Sequence, residues 1–116
     1  MSKPERTIGY IGHMIEAIDR ALIYTAPFDT AGAFGQNSQA LDAVIRTIEI
    51  LGEAANKISQ HDPDFISAHP DIPWKSMRTM RNKMIHDYFS VDPLVVWQTV
   101  KTDLPPLRDR LSTLLG

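Results

Sequence analysis

The chain of 116 residues contains no cysteine, which excludes a disulfide framework, a thiolate nucleophile and a cysteine-type zinc centre. No apolar run approaches the roughly 20 residues that a bilayer-spanning helix needs. The first residues, Met1-Ser2-Lys3-Pro4-Glu5-Arg6, lack the apolar core of a secretory signal, and the expectation is a soluble, cytoplasmic protein with no membrane partner. A large positive excess is also missing. The net charge is −2, against a general nucleic-acid coat. Nothing alternates with a period of two, so half-buried strands are not expected. There is no internal repeat and no low-complexity tract. His13, His61 and His69 show no metal-ligand spacing with carboxylates, so neither a metal site nor a bound cofactor is expected.

What the sequence does contain is helical periodicity over nearly its whole length. Ile8, Ile11, Ile15, Ile18 and Leu22 step by three and four, predicting a first helix over about residues 5–24. Pro27, Gly32 and Gly35 mark a loop. Asn37 or Ser38 caps a second helix, whose stripe is Leu41, Val44, Ile45, Ile48, Leu51, Ala55 and Ile58 and which fades near Gln60. Gly52 inside it costs about 1 kcal/mol relative to alanine, which points to close helix packing at that position. Pro63, Pro70 and Pro73 punctuate the next connection, where Phe65 and Ile66 anchor a short turn of helix.

Pro73 suits the first turn of a third helix. Trp74, Met77, Arg81, Met84, Ile85 and Tyr88 recur along it at near-helical steps, and Met77, Met80, Met84, Trp74 and Trp97 are read as core residues. Asp92-Pro93 opens a fourth helix as N-cap and N1. Pro105-Pro106 should kink or interrupt it, since each removes a backbone donor and crowds the preceding turn. The expected fold is all-α, an up-and-down bundle of four or five helices forming a single domain over residues 1–116. A chain this short exposes much apolar surface, and dimerisation is a natural route to further burial.

The chemistry concentrates in Arg81-Asn82-Lys83-Met84-Ile85-His86-Asp87-Tyr88. Arginine grips a phosphate through a planar fork of donors, and histidine both gives and takes protons near neutrality. Together they contain the parts for cutting RNA without a metal; ordinary polar residues near a helix end are the other reading, and the stronger one for an isolated Arg-x4-His. Between Trp74 and Tyr88, Lys75, Arg78, Arg81 and Lys83 face only Asp87, a local balance of +3 against −5 for the remainder. Such a patch on an acidic body suits a local anionic ligand; a solvated helix face is an equal reading on charge alone.

Spacing constrains the site. Five residues turn an α-helix by about 500°, leaving Arg81 and His86 about 140° apart. For both to reach one phosphate, the helix must end or distort around Ile85-His86, or a second copy must complete the site. The Asp92-Pro93 helix start places a break close to His86. Arg46, Glu49 and Glu53 share one face of the second helix by their spacing of three and four. They either pair along that helix or, if the face abuts the third helix, let Glu49 or Glu53 orient Arg81 or Arg78.

The run Arg81-x4-His86-x-Tyr88, following Trp74 and Met77-Arg78, resembles the signature of the HEPN superfamily, and more closely its HepT toxins from MNT/HEPN toxin–antitoxin systems. Residues 46–56, Arg-Thr-Ile-Glu-Ile-Leu-Gly-Glu-Ala-Ala-Asn, resemble that family's second-helix pattern, and Asp103-Leu104-Pro105-Pro106-Leu107 its last helix. The similarity runs from the first helix to Leu115. It implies a HEPN-like bundle, a homodimer and a metal-independent endoribonuclease toxin of a type VII-like pair. Arg81 and His86 match the catalytic pair and Asn82 the polar residue beside the arginine. Tyr88 matches the tyrosine that an MNT-type nucleotidyltransferase antitoxin modifies with AMP. Attack of an RNA 2′-hydroxyl on its own phosphate would use His86 as acid or base and Arg81 against developing charge, with Lys75, Arg78 and Lys83 drawing in the RNA backbone. The alternative is a non-catalytic helical module that binds a nucleotide or recruits substrates for a nucleotidyltransferase. A third reading is a small structural dimer.

Overall fold

A computed structural model describes residues 2–116, and among them all regular structure is helical. The elements in chain order are α1 (Lys3–Thr25), α2 (Ala31–Gln36), α3 (Ser38–His61), α4 (Pro63–Ala68), α5 (Trp74–His86), a 3₁₀ turn (Tyr88–Ser90), α6 (Pro93–Gln98), a π turn (Thr99–Asp103) and α7 (Leu104–Leu114). The last three run on without a break.

Helix α3 is the centre of the fold, packed against α1 on one side and α5 on the other. Thr7 near the start of α1 donates to Asp62 just past the end of α3, at 2.8 Å, so these two helices are antiparallel. The α3–α5 pairing is antiparallel too, because Asp42 meets Tyr88, Glu53 meets Arg81 and Ser59 meets Arg78. The buried core includes Met14, Ile18, Val44, Ile48, Ala55, Ile58, Trp74, Met77 and Met84. The core reading therefore holds for Trp74, Met77 and Met84; Met80 and Trp97 pack against the core from its edge.

Asn37 is the cap of α3, its side chain accepting from the Ala40 N–H at 2.9 Å. Asp92 caps α6 and Pro93 stands in its first turn, as the sequence predicts. Pro73 sits one place earlier than expected: it is the cap residue before α5, and its carbonyl accepts from the Met77 N–H at 3.1 Å.

The stretch around Gly32 and Gly35, expected as a loop, is helix α2. Thr30 caps it by accepting from the Ala33 N–H at 3.1 Å. Phe34 is fully buried, with ring centroids 5.9 Å from Phe28 and 5.6 Å from Trp97. Burying that ring outweighs the local cost of two glycines.

Pro105 and Pro106 interrupt the last helix in a specific manner. The turn before them widens to π, with the Leu104 N–H bonded to the Thr99 carbonyl five residues back. The prolines then occupy the opening turn of α7, directly after the widened turn. Among the described residues, no helix is long and apolar enough to cross a membrane.

Candidate functional site

Gly52 lets α5 approach α3 more closely than any other residue would allow. A Cβ built on it would lie 2.2 Å from the Arg81 Cβ and 2.6 Å from the Met77 carbonyl oxygen. The stem of Arg81 is thus pressed onto α3, and its guanidinium meets Glu53 one residue further on, Nη2 to Oε2 at 2.9 Å. Arg81 Nη1 donates to the Asn82 side-chain oxygen at 2.8 Å. The Arg81 Nε is buried and has no hydrogen-bond partner. The guanidinium is therefore fixed in direction by two neighbours, with its side chain 29% exposed.

The polar trio on α3 divides. Arg46 pairs with Glu49 along the helix at 3.2 Å, while Glu53 reaches across to Arg81. Both arrangements open to the sequence occur, on different members. Lys57 also lies 3.9 Å from Glu53. A shallow groove of about 230 Å³, lined by Tyr10, His13, Arg46, Ile50 and Lys57, borders Glu53 between α1 and α3.

His86 is the last residue of α5 and is exposed. The helix does end where the spacing asked it to. Ending there does not join His86 to Arg81: among the described residues, no side-chain hydrogen bond links the two. Arg81 and Asn82 come together on the α3 side of α5, and His86 stands at the helix terminus.

Tyr88 opens the 3₁₀ turn and is 43% exposed, so it is not a core aromatic. Its hydroxyl donates a short hydrogen bond to Asp42 of α3. That hydrogen bond to Asp42 is the main reason the phenol is held above its ordinary value of 10.0; burial, the Asp42 charge and the more distant Glu49 act in the same direction.

Lys75 and Lys83 are exposed, and Arg78 is half-buried and donates to the Ser59 hydroxyl of α3. Asp42 and Ser59 were not singled out by sequence. Each is an ordinary polar residue on an amphipathic helix, and only the fold brings them to Tyr88 and Arg78.

A helical bundle organised around α3, with Arg81, Asn82, His86 and Tyr88 on and just beyond α5, has the architecture of a HEPN-like domain. A family model described as ribonuclease HepT-like matches residues 14–114. The chain belongs to the HepT-like ribonuclease family. A protein of Thermococcus cleftensis named probable ribonuclease HepT is 50% identical over 72 residues, 62% of this chain and 63% of that relative. The matched stretch thus falls short of two thirds of that relative's length. Two proteins of Methanocaldococcus jannaschii, named as candidate RNases, are each 34% identical, one over 89% of this chain and 91% of its own length, the other over 97% and 94%. No solved structure matches the chain significantly.

Proposed function

We propose that this protein is a metal-independent endoribonuclease, the toxin of a toxin–antitoxin pair. The observation that carries the reading is the guanidinium of Arg81, fixed in direction by Glu53 and Asn82 on the same helix that ends at an exposed His86, in a chain of the HepT-like ribonuclease family. The reaction is attack of a 2′-hydroxyl on the adjacent phosphorus. His86 takes the hydroxyl proton or returns one to the leaving 5′-oxygen, a role typically worth 10²–10⁴-fold. Arg81, held in direction by Glu53 and Asn82, offers its remaining N–H donors to the phosphorane as charge builds. The Asn82 amide nitrogen donates to a phosphate oxygen, and Lys75, Arg78 and Lys83 attract the RNA backbone. The products are a 2′,3′-cyclic phosphate and a 5′-hydroxyl, and DNA is inert because it lacks the nucleophile.

The active form in this reading is a homodimer. Two groups about 140° apart on one helix cannot close on a single phosphate, whereas a two-fold axis sets Arg81 of one copy opposite His86 of the other. The apolar surface beside His86 in the chain supports such a seam, since Phe89 is fully exposed and Ile85 is more than two-fifths exposed.

Control lies with Tyr88 and an MNT-type nucleotidyltransferase antitoxin that transfers AMP to its hydroxyl. Two residues from His86, the added bulk and negative charge obstruct the site and compete for Arg81. Tyr88→Phe is expected to remain toxic beside the partner enzyme; full neutralisation of that variant by AMP transfer would overturn this part.

A second reading follows from the pairing of Arg81 with Glu53, which occupies donors that a phosphate needs. It makes the chain a non-catalytic module that binds nucleotides or recruits substrates for a nucleotidyltransferase. RNA cleavage by purified, unmodified protein in excess EDTA, beside His86→Ala, separates the two. Cyclic-phosphate ends produced by the parent alone establish the nuclease. Intact RNA from both, with Tyr88 shown unmodified by mass, establishes the module.

A further inference from the structure

Residues 85–90 carry His86 and are exposed throughout. The last buried side chain before them is Met84, and Val91 beyond them is only half-buried. Their backbone bonds are local: the Asp87 N–H donates to the Lys83 carbonyl at 2.9 Å and the Ser90 N–H to the Asp87 carbonyl at 2.8 Å. The Tyr88 ring makes an edge contact with its own neighbour Phe89, centroids 5.7 Å apart. Among the described residues, one side-chain hydrogen bond reaches from this stretch to another helix, and it runs from the Tyr88 hydroxyl to Asp42.

We propose that Asp42 is a positioning residue that holds His86 in place through Tyr88, and that esterification of the Tyr88 hydroxyl frees His86 by undoing this fastening. The second half rests on the reading that Tyr88 receives AMP. It adds a mechanism to that reading: modification detaches the turn as well as obstructing the groove.

The chemistry of the oxygen makes the fastening one-way. In the transfer, the Tyr88 oxygen bonds to the α-phosphorus of a nucleoside triphosphate, the bond from that phosphorus to the β-bridging oxygen breaks, and pyrophosphate leaves. The phenolic proton passes to the Asp42 carboxylate that already accepts its hydrogen bond, and then to water. The product oxygen has no hydrogen left to donate, and the phosphodiester attached to it is anionic. Attraction to Asp42 becomes repulsion, reinforced by Glu49 on the same helix. The surroundings that already disfavour a phenolate at this position disfavour a phosphodiester for the same electrostatic reason.

The test follows the His86 ring by NMR and RNA turnover in parallel. The variants are Asp42→Ala, Asp42→Asn, Tyr88→Phe and the double Asp42→Ala/Tyr88→Phe, with a chain carrying phosphotyrosine at position 88. Asp42→Ala and Tyr88→Phe are expected to move the His86 resonances alike and to lower kcat about ten-fold, a modest share of what a misplaced group costs. The double variant should be no worse than either single one. Asp42→Asn, which keeps an acceptor, should recover most of the parent behaviour. Phosphotyrosine should move the His86 resonances at least as far as Tyr88→Phe does. His86 resonances unmoved by Asp42→Ala, or losses that add in the double variant, would overturn the positioning role. Because the NMR readout needs no RNA cleavage, it decides the role of Asp42 even if the protein proves not to be a nuclease.

Discussion

Arg81 reaches Glu53, at 2.9 Å, because the residue before Glu53 has no side chain. The ion pair and the glycine form one device: Gly52 admits the stem of Arg81, and Glu53 then receives its head.

Gly52→Ala is therefore expected to force α5 away from α3. Its added methyl would overlap the Arg81 Cβ and the Met77 carbonyl, which is backbone and cannot swing aside. Better helix propensity returns about 1 kcal/mol, but overpacking of this kind costs about 1–3 kcal/mol. A lower urea midpoint at unchanged slope is the expected result, and RNA cleavage should fall with it as Arg81 loses its seat.

Glu53→Gln isolates the carboxylate from the packing. Both partners are partly exposed, at 29% and 41%, so the loss of stability should stay below about 1 kcal/mol. Catalysis should respond more, with kcat falling roughly ten- to hundred-fold as Arg81 loses its fixed direction. Steady-state kinetics beside thermal unfolding separates the two effects. A fall in stability with unchanged kcat would make Glu53 purely structural.

How much of this was legible in the sequence depends on the range of the interaction. The four long helical regions follow from apolar stripes, and the caps at Asn37 and Asp92 follow from local side-chain chemistry. Gly52 was legible as a packing residue because a mid-helix glycine is costly without one. Helix α2 was not, since its local signal is two glycines and its stability comes from Phe34 lodged against Phe28 and Trp97. In the site, Arg81, Asn82, His86 and Tyr88 were visible as a motif. The choice of Glu53 over Glu49 as partner of Arg81 needed the crossing of α3 and α5. The partnership of Asp42 with Tyr88 spans 46 positions and leaves no trace in either neighbourhood.

The α1–α7 contact carries a pH dependence. Arg108 donates to both oxygens of Asp19, Nη2 at 3.1 Å, and this hydrogen bonding holds the Asp19 carboxyl below its ordinary value of 3.8. A depressed carboxyl stabilises the fold above its unfolded value, and the benefit is lost as pH falls through the folded one. The groups are 39% and 42% exposed, so solvent screening limits the contribution to roughly 0.5 kcal/mol. Asp19→Asn should lower stability by about that much at neutral pH. The difference should shrink as pH falls below 3.8 and through the depressed folded value, as read by urea unfolding at neutral and acid pH.

Lys75 and Lys83 are exposed and make no ion pair among the described residues, whereas Arg78 is engaged by Ser59. Lys75→Ala and Lys83→Ala should each reduce the salt slope of RNA binding by about 0.7, the release expected per phosphate contact on a single strand. Titrations of a non-cleaved RNA at several salt concentrations measure this. Slopes equal to the parent's would place the strand elsewhere.

The π turn at Thr99–Asp103 sets a phase. Each residue added to or removed from a helix rotates everything beyond it by about 100°, and the widened turn absorbs such an increment just ahead of the two prolines. Val96 before it, Val100 within it, and Leu104, Leu107 and Leu111 beyond it all face the same core. Arg108 lies on the part of the helix whose orientation is fixed there. Its aim at Asp19 is thus inherited from a count of residues upstream, in the manner of a gear whose teeth mesh only at one offset.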